Sequence, residues 1–122
     1  MAAGQSNQVK TTLTQAQSLT NQIKTDLFDG KSKIDQAASM DISSEYRSYL
    51  NAKGKSIENS IALNTTDQEM ISLWLSDPLM NKPDTVEKFT EMQNKETQQG
   101  DAVVAAEAEA DAIAKANPDK IQ

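Results

Sequence analysis

Histidine and cysteine are both absent from this chain. With them go most catalytic triads, thiol chemistry and the usual zinc sites. The side chains left that could do chemistry are carboxylates, since acid–base work needs only two carboxyl groups whose pKa values are pushed apart. Glu107 and Asp111 lie one helical turn apart, with Glu109 on another side of the same helix. Like charges at that spacing destabilise a helix slightly, which would suit a cation. A solvated acidic face broken by alanines accounts for the same residues with less. No calcium-loop pattern accompanies them, and four scattered glycines make no phosphate-binding loop. The expectation is therefore no enzyme, no cofactor and no metal site.

The other candidate is a contact surface. Trp74 stands beside Leu73, Leu75, Leu79 and Met80 in the most apolar stretch of the chain, around Asp77-Pro78. Trp and Tyr are enriched at binding hot spots, and a proline-bounded loop at the end of a bundle is accessible to a partner. Trp74, Leu79 and Met80 are the candidate partner contacts. The plainer role for a lone Trp is to cap the core of its own bundle. Tyr46 and Tyr49, three residues apart, cannot both face inward. Asn64-Thr65-Thr66 matches a glycosylation acceptor, a match with meaning only in a secreted chain.

Three stretches must position these residues, and each carries apolar side chains at helical spacing. From about 6 to 39, Val9, Leu13, Ala16, Thr20, Ile23, Leu27, Gly30, Ile34 and Ala37 follow one another by steps of four and three, one face of a helix. Gly30 is its weak point, because an interior glycine costs about 0.5–1 kcal/mol relative to alanine. From about 43 to 76, Tyr46, Leu50, Ile57, Ile61, Ile71, Trp74 and Leu75 form the apolar face, with Asn64 and Gln68 interrupting it. Thr66-Asp67-Gln68-Glu69 also reads as a capping box, so a break near Asn64–Thr66 and a continuous helix both stay open. Asp77-Pro78 ends the stretch. From about 84 to 117, an Asp84-Thr85-Val86-Glu87 capping box opens a third helix. Phe89, Met92, Val103, Ala106, Ala110 and Ile113 share a face with polar Glu96 and Gln99, and Asn117-Pro118 closes it.

The predicted fold is all-α: an elongated, antiparallel three-helix up-down bundle, since short connections make neighbouring helices antiparallel. Helices of this length span about 50 Å at 1.5 Å per residue. The expected organisation is a flexible N-terminal tether over 1–5, one helical-bundle domain over 6–117 and a C-terminal tail over 118–122. With 37% hydrophobic and 4% aromatic residues, the core should be slim.

Charge narrows the partners. The first helix carries four Lys against three Asp, whereas the third carries three Lys against eight acids, within a net charge of −6. That balance argues against nucleic acid, whose affinity comes largely from Lys and Arg, and against docking on anionic lipid. No segment approaches the roughly 20 apolar residues of a membrane helix. The small, polar start Met1 to Asn7 resembles the tether after a removed signal or a lipidated cysteine, so an upstream lipid anchor is compatible with it. An ordinary frayed terminus reads the same way.

Two functions follow. One is a non-catalytic, extracytoplasmic or cell-surface helical module, such as the soluble part of a lipoprotein-like protein, that binds protein or acts as a spacer. The alternative is a cytoplasmic or phage-encoded assembly or regulatory protein working through helix–helix association. There the polar interruptions Asn64, Gln68, Glu96 and Gln99 would be completed by another chain or by self-association.

Overall fold

The helical periodicity is realised almost without interruption. In the computed structural model, which describes residues 2–121, the chain forms α1 (Ala2–Ala38), α2 (Ser44–Ser76) and α3 (Pro83–Ala116). No strand occurs among the described residues, and none of their helices is long and apolar enough to cross a membrane. Residues 2–5 continue α1 instead of forming a tether. Ala2, Ala3 and Gln5 all favour helix, and Gly4 sits in open space. Met1 and Gln122 lie outside the described residues.

Both open questions of continuity resolve as unbroken helix. Gly30 remains helical, and a Cβ there would meet only the Ile57 side chain at 3.7 Å. At Asn64–Thr66 the hydroxyls bond backward within α2, Thr65 Oγ1 to the Ile61 carbonyl at 3.0 Å and Thr66 Oγ1 to that of Ala62 at 3.3 Å. They therefore cap nothing. The Asn64 amide donates across to the Thr20 carbonyl of α1 at 3.1 Å.

The two connections are built by a few side chains. Ser43 is the N-cap of α2, its hydroxyl accepting from the Tyr46 N–H at 3.1 Å. Arg47 reaches back to the Ala38 and Met40 carbonyls at 3.0 and 3.1 Å, satisfying acceptors that the end of α1 leaves open. The α3 cap differs from expectation. Its N-cap is Lys82, without a side-chain cap bond, and Pro83 occupies the first turn. Asp77 braces the loop before it: its carboxylate accepts from the Asn81 N–H at 3.1 Å and the Lys82 N–H at 2.8 Å. Asp84 lies inside the first turn. After Asn117 the chain turns back, and Lys120 pairs with Glu45 of α2 at 3.0 Å.

α2 is the middle helix, buried along both flanks. Toward α1 it presents Gly54, against Ile34 and Lys31, and Gln68, bonded to Asn21 at 2.7 Å. Lys31 ties Asp35 of its own helix to Glu58 of α2. Toward α3 it presents Lys53, paired with Glu107 at 2.6 Å, and Lys55, 3.7 Å from Glu109. Among the described residues, no Cα of α1 comes within 8 Å of one of α3. The three-helix bundle is thus open on one side. Its buried apolar residues are few: Leu13, Leu50, Ala52, Met70, Ala106 and Ala110. Ile23, expected on the buried stripe, is 49% exposed, because α1 has a single neighbour and only a narrow face of it is covered.

Candidate functional site: an open groove over the middle helix

Where the N-terminal half of α1, the end of α2 and the start of α3 meet, the open side of the bundle widens into a groove of about 590 Å³. Val9, Thr12, Leu13, Ala16 and Thr20 line it from α1, Met70, Ile71 and Trp74 from α2, and Phe89 from α3. Helical repetition explains the α1 wall, since Val9, Thr12 and Ala16 recur at one helix face. Leu13 and Met70 are buried, whereas Val9, Ile71, Trp74 and Phe89 are half-buried. Apolar side chains of this size are usually enclosed.

Trp74 is held from two sides. Its indole N–H donates to the Pro78 carbonyl at 3.0 Å, and its ring meets Phe89 edge to face, with centroids 5.5 Å apart at 79°. That geometry matches the aromatic quadrupole. Trp74 therefore packs within its own bundle and also lines the groove. Leu79 and Met80 do not line the groove. They are half-buried in the α2–α3 loop, where Met80 takes a left-handed backbone (φ 53°) and its N–H donates to the Asp77 carbonyl at 2.9 Å. Asp77 is itself buried. The amide bond from Lys82, with that from Asn81 behind it, holds its carboxyl below the usual range against the opposing effect of burial. The Asp77 loop sets the start of α3 and so brings Phe89 over Trp74.

Two carboxyl groups interrupt the apolar lining, Asp67 from α2 and Glu96 from α3. Burial pushes the Asp67 carboxyl up to about 7, and its hydrogen bond to Glu96 and the charge of Glu96 add to the rise. Asp67 consequently keeps its proton toward the neutral range. A positive charge brought beside such a pair favours its ionised form.

The acidic residues singled out from the sequence are placed differently. Glu107 faces Lys53, whose ion pair lowers its pKa, helped by a hydrogen bond from Ser56. Glu109 leans toward Lys55, and Asp111 is exposed. Glu107 is therefore a clasp between α2 and α3. Among the described residues, no three Asp or Glu side chains gather in a way that would hold a metal ion. Asn64, the nominal glycosylation acceptor, is 4% exposed and engaged with α1, so it offers no acceptor in the folded chain. Tyr46 and Tyr49 share a tilted contact at 6.1 Å, both half-buried. Of the polar interruptions, Asn64 and Gln68 are satisfied by α1, Glu96 by Asp67, while the Gln99 side-chain oxygen is buried without a partner among the described residues.

Sequence reasoning placed Trp74 and marked Glu96 as an anomaly on an apolar face, but it missed the pairing of Glu96 with Asp67. Asp67 had been read as part of a cap. The available signal was two acids at inward-facing positions of helices expected to be antiparallel. Comparison with protein families, curated proteins and solved structures finds no match to this chain.

Proposed function

We propose that this chain is a non-catalytic protein-binding module that works by helix–helix association, receiving an apolar helical segment in the groove between α1 and α3. The observation that carries this reading is the half-exposed set Val9, Ile71, Trp74 and Phe89 around an opening that its own three helices leave unfilled. Contiguous apolar surface in a concave setting marks interaction sites, and a helix laid into an apolar groove is a recurrent mode of recognition. An extracytoplasmic or cell-surface setting belongs to the same proposal and rests on the cysteine-free, Gln-, Asn-, Ser- and Thr-rich composition.

The test is site-specific photocrosslinking in cells that produce the protein. A crosslinking residue at Ala16, in the groove, should yield a discrete protein adduct. The same residue at Glu69, exposed on α2 and absent from the groove lining, should yield none. Equal adducts from both positions, or none from either, would reject the groove as the working surface.

A further inference from the structure

An exposed apolar stripe on α1 continues beyond the groove. Val9, Thr12, Ala16, Leu19 and Ile23 follow one another along α1 by steps of three and four, and Leu19 is 61% and Ile23 49% exposed. Those steps are the seam spacing by which one helix receives another. The stripe adjoins the buried face of α1 and runs for about 20 Å at 1.5 Å per residue. A small molecule would fill the 590 Å³ hollow and leave Leu19 and Ile23 in water. An extended occupant covers all of it.

The charge decides which extended occupant. Among the described residues, the ionisable groups lining the hollow are Asp67 and Glu96, from α2 and α3, while α1 contributes uncharged Gln8, Thr12 and Thr20. A second copy would bring a net charge of −6 toward a groove already acidic. We infer that the occupant is an amphipathic helix of a different protein, carrying one lysine or arginine among its apolar residues and setting it against Asp67 and Glu96. Such a helix satisfies both carboxylates at once, and like-charged helices are rejected by the same pair. The proton that Asp67 keeps into the neutral range leaves when the basic side chain arrives, so binding releases a proton and strengthens from about pH 5 to 8. This inference rests on the groove-binding reading above.

Three synthetic amphipathic helical peptides of about six turns, with leucine at the seam positions and arginine, glutamine or glutamate at one central seam position, provide the probe. Titration calorimetry at pH 7 against the whole protein should show the arginine peptide binding about tenfold more tightly than the glutamine peptide, and the glutamate peptide not binding. The preference should vanish in the Asp67→Asn, Glu96→Gln double variant, whose groove keeps its shape. Heats measured in buffers of different ionisation enthalpy should report proton release for the arginine peptide alone. Ala16→Trp, which fills the hollow, should abolish binding.

Equal binding of the arginine and glutamine peptides, both blocked by Ala16→Trp, would overturn the charge inference and leave the groove reading standing. Absence of binding by all three, or binding that survives Ala16→Trp, would overturn both. Light scattering that shows a dimer of the protein alone, dissolved by Ala16→Trp, would put a second copy in the groove and refute the inference.

Discussion

The two ends of this bundle are built from side chains of different size. Toward the α1–α2 turn, α2 and α3 meet through Ala52, Ser56, Ala106 and Ala110, all buried, with Ala110 at 0% exposure. Gly54 does the same against α1. Small side chains let backbones approach, so the seams between the helices are closed there, while Phe28, Met40 and Val104 nearby stay exposed. Toward the α2–α3 turn the residues are large, Val9, Ile71, Trp74 and Phe89, and each remains half-exposed around the groove. Large side chains hold helices apart, and three helices do not close the space they create. The lesson is that side-chain size decides whether neighbouring helices close on each other or leave a hollow between them.

Four measurements break or sharpen that contrast. The largest effect belongs to Trp74→Ala, which removes the Phe89 contact and the bond to Pro78. It should cost about 2–3 kcal/mol in chemical denaturation, less than the 3–5 of a fully enclosed aromatic; a loss in that higher range would mean the groove end is as closed as the alanine end. Next comes a paired substitution. Ala110→Leu should destabilise by about 1–3 kcal/mol through overpacking, whereas Ala16→Leu, pointing into open space, should be neutral or stabilising. Equal penalties would erase the distinction between the ends.

The third is pH dependence, where the carboxyl in the groove titrates with the opposite sign to carboxyls held by ion pairs or backbone N–H groups. Asp67 has its folded pKa raised to about 7 from an unfolded value near 3.9. Between those values the folded state binds more protons than the unfolded, so this contribution is full below about pH 4 and is lost as pH rises toward 7. Glu45 has its pKa lowered by its bond to Lys120, Glu107 by Lys53 and Asp77 by the Lys82 amide. Their contributions are present above the unfolded carboxyl values, near 4, and are lost as pH falls through the lower folded values. Melting temperature should therefore peak in mildly acidic solution and decline toward pH 7, and Asp67→Asn should flatten that decline. A wild-type profile that climbs from pH 4 to 7 would contradict the Asp67–Glu96 pairing. The smallest effect is Gly100→Ala. Gly100 is helical with nothing within 4 Å of a built Cβ, so alanine should add about 0.5–1 kcal/mol. A loss instead would reveal a neighbour close to that face of α3.

Much of the fold was legible because helices declare themselves locally. The seven-residue, two-turn spacing of Leu13, Thr20, Leu27 and Ile34 on α1, and the shared helical face of Phe89, Met92, Val103, Ala106 and Ala110 on α3, set the inward faces. Asp77-Pro78 and Asn117-Pro118 marked the ends within a residue or so. Ile23 misled because a stripe shows which face could be buried, and only a neighbour shows which is. Asp84 misled because α3 begins at Pro83 with Lys82 as its N-cap, which places Asp84 inside the first turn. The candidate site was half legible. Trp74 stood out by type, but Leu79 and Met80 share its neighbourhood in sequence and belong to the loop, not the groove.

What the sequence determined by itself is the set of three long helices, their order and their termini, because hydrogen bonding, capping and apolar period all act within a few residues. It also determined an acidic third helix and a chain without thiol or imidazole chemistry. The tertiary structure alone decided that α2 lies in the middle, that α1 and α3 stand apart, and that Asp67 and Glu96 come together at an apolar hollow. Those facts depend on side-chain size and charge meeting across helices dozens of residues apart, and burial raises the Asp67 pKa only once the helices have met.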